Sequence, residues 1–159
     1  MRHQTDVDEI INQWEFYTLE ADGRYHQNDL GLASKGFCRT VELLEPWLDK
    51  DHKETKKVIR FFVLSCHNAA HVMSKRGKHR EAEYYYSHAH FRLLSMFGQD
   101  QKSGSRLDSI LLELKCTYLQ LQQYLVKKDK RELALSIKDE SIRVIRQRYN
   151  EYVDDVFVA

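Results

Sequence analysis

Two histidines, His67 and His71, are the residues whose type and spacing most directly suggest chemistry. They lie four positions apart in a segment with helical periodicity, so both imidazoles would share one face and could reach one metal ion. Two ligands are half of a tetrahedral zinc site, and Asn68 stands where the H-E-x-x-H motif has glutamate. We therefore predict no resident metal and no cofactor, and metal binding at this pair is the last of three functional alternatives.

Motifs that carry catalysis are missing from the sequence. There is no glycine-rich phosphate loop, no G-x-S-x-G and no paired carboxylate motif. Cys66 and His67 are neighbours, and adjacent residues on a helix point apart, so they cannot act as a nucleophile and its base. We predict no catalytic residues and a protein that is not an enzyme.

Charge and cysteine content narrow the class of partner. The formal charge of the 159 residues is +1, which gives no bulk attraction to nucleic acid or to a membrane surface. No apolar run approaches the ~20 residues of a membrane span. The N-terminal segment 1–9 carries three acids, unlike a signal peptide, and three cysteines are an odd number for a disulfide framework. We expect a cytoplasmic protein with reduced thiols that binds neither membrane nor nucleic acid.

Apolar periodicity predicts an all-α fold. Good helix formers dominate, there is a single proline, and apolar residues recur at spacings of three and four. Six antiparallel helices are predicted over residues 7–26, 30–47, 55–76, 78–97, 106–127 and 131–152. Short joints pair them into three stacked hairpins within one domain, 1–159: about 7–48, 55–97 and 106–152, followed by a tail, 153–159.

Three local features sharpen these predictions. Pro46 lacks an amide hydrogen and should kink or close the second helix. Gly77 should end the third helix, where a left-handed residue is usual. The apolar face of the sixth helix should include Leu135, Ile142 and Ile145.

The middle hairpin resembles a tetratricopeptide repeat. Its first helix has the small cluster Asn68-Ala69-Ala70, Gly77 lies at the turn, and Ala82 to Tyr86 is similar to the A-x₃-F element of the second helix. The first hairpin resembles it through Ala33 and Phe37. In the third, Ala134 is followed by Lys138, and the repeat period of about 50 exceeds the family's ~34. The resemblance implies a tetratricopeptide-like α-α superhelix that binds proteins or peptides.

A second resemblance rests on residues 14–22, WEFYTLEAD. This segment is similar to a small family of uncharacterised proteins from Vibrio-type marine bacteria. The resemblance implies a bacterial cytoplasmic protein to which no function has been assigned.

By the tetratricopeptide resemblance, the first helices of the hairpins line a concave face. The polar residues that lie off their apolar stripes then form a candidate peptide groove: Glu15, Thr18, Asp22, His26, His67, His71, Lys75 and Gln123. Such a groove would hold a peptide of unknown identity. The alternative interpretation is a solvated face, which every amphipathic helix has.

The sequence thus leaves three functions open. The first is a non-catalytic scaffold that binds a protein or peptide in this polar groove. The second is a structural homo-oligomer without a groove ligand, in which the tail segment 153–158 or an open end hairpin docks on a neighbour. The third is the metal site at His67 and His71.

Overall fold

The computed structural model describes residues 2–99 and 104–149. In that part of the chain all regular structure is helical, which confirms the all-α prediction. The six helices are α1 (Arg2–His26), α2 (Leu30–Leu44), α3 (Thr55–Lys75), α4 (His79–Gln99), α5 (Ser105–Lys127) and α6 (Arg131–Tyr149). None of them, over the described residues, is long and apolar enough to cross a bilayer. The predicted tail, 153–159, and the end of the predicted sixth helix lie outside the described residues.

The chain divides into two compact units within α4, the first ending at Tyr85 and the second beginning at Tyr86. The first unit holds α1, α2, α3 and the start of α4. The second holds the rest of α4 with α5 and α6. The single domain over 1–159 stays a prediction.

The core of the first unit is built where small residues let helices approach. Helix α1 packs on α2, and α2 packs on α3. Ala21 and Gly36 mark the α1–α2 crossing, because a Cβ at Gly36 would lie only 2.7 Å from the Cβ of Ala21. Around this crossing the buried cluster consists of Ala21, Ala33, Phe37, Ala69 and Val72. The alanines of the tetratricopeptide resemblance, Ala33, Ala69, Ala70 and Ala82, are therefore buried.

The turns after α1, α3 and α5 have one backbone geometry. Each has a residue in the left-handed region: Asn28 at φ 61°, Gly77 at φ 74° and Asp129 at φ 63°. In each, the amide of the following residue bonds back to a carbonyl in the last turn of the helix at 2.9 Å, that of Arg24, Met73 or Leu125. This is the Schellman ending of a helix, and it confirms the role predicted for Gly77.

A buried alanine follows each of these turns at the same distance. Ala33, Ala82 and Ala134 all lie five residues after the left-handed residue, and all three are buried. The aromatic position four residues later is buried Phe37 in the first hairpin, half-buried Tyr86 in the second and Lys138 in the third. The third hairpin thus repeats the backbone turn and the alanine of the other two, but not the aromatic.

Pro46 closes α2, as predicted. The α-helix ends at Leu44, and a short 3₁₀ helix, Glu45–Trp47, follows with Pro46 inside it. At the other end of α2 the Asp29 carboxylate accepts a hydrogen bond from the Leu32 amide at 3.1 Å. Such an N-cap satisfies an amide that has no partner within the helix.

In the second unit α5 packs on α6. The buried stripe of α5 runs from Leu107 to Leu125 and includes Ile110, Leu114, Tyr118 and Leu121. The predicted face of α6 is partly wrong: Ile145 is buried, but Leu135 is 60% exposed. Ala134, Ile137 and Ser141 are buried instead. The polar Ser141 can be buried because its hydroxyl lies within hydrogen-bond distance of His90 and of the Ile137 carbonyl.

Candidate peptide-binding face of the first and third helices

A buried hydrogen bond holds α1 beside α3. The indole Nε1 of Trp14 donates to Ser65 Oγ at 2.8 Å, and both residues are buried. The indole also stacks on Phe61, with ring centroids 3.7 Å apart and planes 7° from parallel. Both contacts run from Trp14 of α1 to residues of α3, so they fix the position of α1 against α3. They thereby determine where the exposed edges of the two helices lie side by side.

Further along this seam, Tyr25 of α1 contacts two of the predicted groove residues on α3. Its hydroxyl lies 3.1 Å from Nε2 of His71, and the Lys75 ammonium donates to the same oxygen. The Lys75 Nζ also lies 4.7 Å from the centroid of the Tyr25 ring, within the range of a cation–π contact. Tyr25 is half-buried, while His71 and Lys75 are exposed. The three side chains form one polar cluster at the protein surface.

The contacts of this cluster fit a neutral imidazole. An ammonium can only donate, so the Tyr25 oxygen accepts from Lys75, and the Tyr25 hydroxyl can in turn donate its hydrogen to Nε2 of His71. Nε2 accepts that hydrogen only when it carries no proton. Desolvation, and secondly the charge of Lys75, lowers the pKa of His71 and so favours the neutral ring.

The charged groove residues of α1 lie on its exposed side. Glu15 is exposed, and His26 and Asp22 form an exposed pair with Nδ1 3.4 Å from Oδ2. The same Nδ1 lies 2.8 Å from the carbonyl oxygen of Asp22. A side-chain pair this exposed adds little stability, so these groups are available to a ligand. The α1 edge therefore presents carboxylates and the α3 edge presents the Lys75 ammonium.

Thr18 and His67 are set deeper than the other predicted groove residues. Both are half-buried. The hydroxyl oxygen of Thr18 is buried and has no hydrogen-bond partner among the described residues. Desolvation lowers the pKa of His67 to about 4, so its imidazole is neutral at neutral pH.

The α1 and α3 members of the predicted groove all lie in the first unit, and Tyr25 contacts three of them, His26, His71 and Lys75. Tyr25 is not among the predicted groove residues, because it recurs at helical spacing with the apolar residues Trp14 and Ala21 of α1. Its hydroxyl was the available signal, since a buried tyrosine ring usually places its hydroxyl against a polar partner. Gln123 is exposed on α5 and belongs to the second unit.

A metal ion at His67 and His71 would need a third protein ligand, and the described residues supply none. Across 2–99 and 104–149 no group of three His, Cys, Asp or Glu side chains could hold a metal ion. The Nε2 of His71 already lies against the Tyr25 hydroxyl. The three cysteines are free thiols, and burial raises the pKa of Cys66, so this thiol stays protonated.

The second unit contains a buried histidine between two hydroxyls. His90 Nδ1 lies 2.9 Å from Thr117 Oγ1, and Nε2 lies 2.7 Å from Ser141 Oγ. Each hydroxyl is also placed to donate to a carbonyl of its own helix, that of Leu114 or Ile137. Desolvation lowers the pKa of His90 to about 4, so the ring is neutral and one hydroxyl must donate to it.

A serine beside a histidine resembles a nucleophile and its base, but this pair has no access to substrate. Ser141, His90 and Thr117 are all 0% exposed. The network therefore joins the α4 segment of this unit to α5 and α6, which is a structural role.

Comparison with protein families places the chain. A family model described as a protein of unknown function, DUF2753, matches residues 12–145. The chain belongs to the DUF2753 family. No curated protein and no solved structure matches it. The expectation of a family without an assigned function is confirmed, whereas the tetratricopeptide and Vibrio-type resemblances stay predictions.

Proposed function

We propose that this DUF2753 protein is a non-catalytic, cytoplasmic, tetratricopeptide-like module that binds a protein segment or peptide on the face formed by α1 and α3. The observation that carries the proposal is the cluster of Tyr25, His71 and Lys75, which joins the two helices at an exposed edge. Polar side chains of two helices converge there without filling a core. The three equivalent turns support the repeat-like character of the chain.

The chemistry of the face suits a peptide with mixed polarity. Lys75 offers an ammonium to a carbonyl or carboxylate, while Glu15 and Asp22 offer carboxylates to a basic group or an amide. The neutral His71 ring adds a group that can donate through its other nitrogen. A peptide backbone carries amide donors and carbonyl acceptors at every residue, so it can use both edges of the face.

The competing proposal is a homo-oligomer, which predicts a different dependence of molecular mass on concentration. If the exposed face serves no ligand and the chain only assembles with itself, light scattering would show a mass that rises with concentration. The same samples would show no peptide binding at the α1–α3 face.

Peptide display followed by NMR tests the proposal. The full chain is used to select peptides from a random library, and a selected peptide is titrated into the isotopically labelled protein. We expect the largest amide shift changes near Thr18, Tyr25, His71 and Lys75. Shift changes confined to other surfaces, or a selection that yields no binding peptide, would overturn the proposal.

A further inference from the structure

A cavity lies between α1 and α2, on the side of α1 away from the predicted groove residues. Its volume is about 300 Å³, at the lower end of the roughly 300–1,000 Å³ of ligand pockets. The close crossing of Ala21 and Gly36 forms part of its lining. None of the predicted groove residues lines it, so it is independent of the α1–α3 face.

Three cations surround this cavity. Arg24 comes from α1, and Lys35 and Arg39 come from α2. All three are exposed, and within the described part of the chain none of them forms an ion pair. Glu20 is the single acid in the lining. The cavity therefore has an excess of positive charge although the whole chain carries only +1.

Arg39 is held in place before any ligand arrives. Its Nη2 donates to the Tyr17 hydroxyl at 2.7 Å, and its guanidinium carbon lies 3.9 Å from the Tyr17 ring centroid. A guanidinium has five N–H donors in a planar fork that matches a carboxylate. Because Tyr17 orients the group, less side-chain entropy is lost when a carboxylate binds.

Apolar side chains border the cations. Leu32 lines the cavity and is 44% exposed. Phe16 is 64% exposed and contacts the Tyr17 ring edge to face, with centroids 5.5 Å apart. Exposed apolar groups next to cations favour a ligand that is both acidic and apolar. The exposed aliphatic Leu32 suits an apolar side chain of a peptide better than a nucleic-acid base, which stacks on aromatic rings.

We propose that the cavity between α1 and α2 is a docking site for an acidic segment of a partner protein, in which carboxylates face Arg24, Lys35 and Arg39 and an apolar residue covers Leu32. This binding site is separate from the peptide face of α1 and α3. Helix α1 would then contribute to two ligand surfaces, one on each side.

Fluorescence anisotropy with a defined probe tests this assignment. The probe is a labelled peptide in which glutamate pairs alternate with leucine or phenylalanine, and a second peptide has glutamine in place of each glutamate. We expect the full chain to bind the acidic peptide, to bind it less tightly at high salt, and to leave the glutamine peptide unbound. Absence of binding, or equal binding of both peptides, would contradict the proposal.

Two matched triple variants locate the site. Arg24→Glu, Lys35→Glu and Arg39→Glu together should weaken binding by about tenfold or more. Lys56→Glu, Arg60→Glu and Lys78→Glu change the net charge equally at exposed positions of the same unit and should keep wild-type affinity. Equal losses of affinity in the two variants would contradict the proposed site, because they would show a general effect of net charge.

Three more variants separate loss of the site from loss of the fold and from binding at the α1–α3 face. Should the charge-reversed protein fail to fold by circular dichroism, the milder pair Arg24→Gln and Lys35→Gln replaces it, with weaker binding still required. Leu32→Gln should also weaken binding, because it removes the apolar contact but leaves the cations. His71→Ala with Lys75→Ala should leave binding unchanged, as the two surfaces are separate.

A competition experiment tests the class of ligand. A single-stranded DNA or anionic vesicle that fully displaces the acidic peptide from this cavity would replace the acidic-peptide assignment.

Discussion

A Cβ atom at Gly36 would lie 2.7 Å from the Cβ of Ala21 and 3.4 Å from its Cα. The two helices therefore touch backbone to backbone at this point, and no flexible side chain can move aside. The crossing sets the spacing of α1 and α2 and with it the width of the cavity beside them.

Gly36→Ala should destabilise the protein. Overpacking costs about 1–3 kcal/mol, which outweighs the roughly 1 kcal/mol that alanine contributes through helix propensity. Gly23→Ala is the matched control, since a Cβ there meets nothing within 4 Å in α1. It should stabilise by roughly 0.5–1 kcal/mol. Urea unfolding measures both, and a stabilised Gly36 variant would show that the two backbones are not in contact at this crossing.

Gly77→Ala should destabilise through the backbone alone. A Cβ at this position meets no atom within 4 Å, but φ is 74°, a left-handed conformation. The expected loss is about 1–2 kcal/mol, the steric penalty of an L-residue in that conformation. Thermal unfolding followed by circular dichroism gives the value, and an unchanged melting temperature would contradict the shared turn geometry.

Ser65→Ala should weaken the seam between α1 and α3. The buried Trp14 Nε1 would lose its acceptor at 2.8 Å, and an unsatisfied buried donor costs about 1–3 kcal/mol. Ser95→Ala, at an exposed position of α4, is the control. Chemical unfolding of the two variants side by side would give equal stabilities if the indole bond contributed nothing.

Stability should fall in mild acid because of buried histidines. Burial lowers the pKa of His90 from 6.5 to about 4, so below pH 6.5 the unfolded state binds a proton that the folded state excludes. The free energy of unfolding should decrease by up to about 1.4 kcal/mol per pH unit as the pH falls from 6.5 towards 4. His67, with a pKa of about 4, adds to the same slope.

His90→Gln separates the two contributions. An amide can still donate to one hydroxyl and accept from the other but does not titrate in this range. Unfolding curves over the same pH range should show a shallower decline for this variant than for the wild type. Parallel declines would mean that His90 is not the buried titrating group.

The apolar periodicity of the sequence predicted the six helices, but it did not predict that three of the turns share one backbone geometry. The glycine at position 77 predicted its left-handed turn, but Asn28 and Asp129 fill equivalent positions with other residue types, so the repetition became visible only in the backbone. On α6, ranking by hydrophobicity placed Leu135 inside. It could not anticipate that Ser141, paired with His90, would take an inward position.

The candidate face was predicted in outline. Helical spacing placed His71 and Lys75 together on α3, because residues four apart share a face. The contact of both with Tyr25 depends on how α1 lies against α3, which no local pattern contains. The cavity of Arg24, Lys35 and Arg39 was missed for the same reason, since its cations come from two helices whose pairing is a tertiary property.

The most direct test of the peptide-binding account is a calorimetric titration of a display-selected peptide. The wild-type chain is compared with a His71→Ala, Lys75→Ala double variant and with a Lys78→Ala, Arg80→Ala control, whose exposed cations lie outside the α1–α3 face. The account predicts that the first variant loses affinity by about tenfold or more while the control binds as the wild type does. Equal affinities for all three proteins would contradict it.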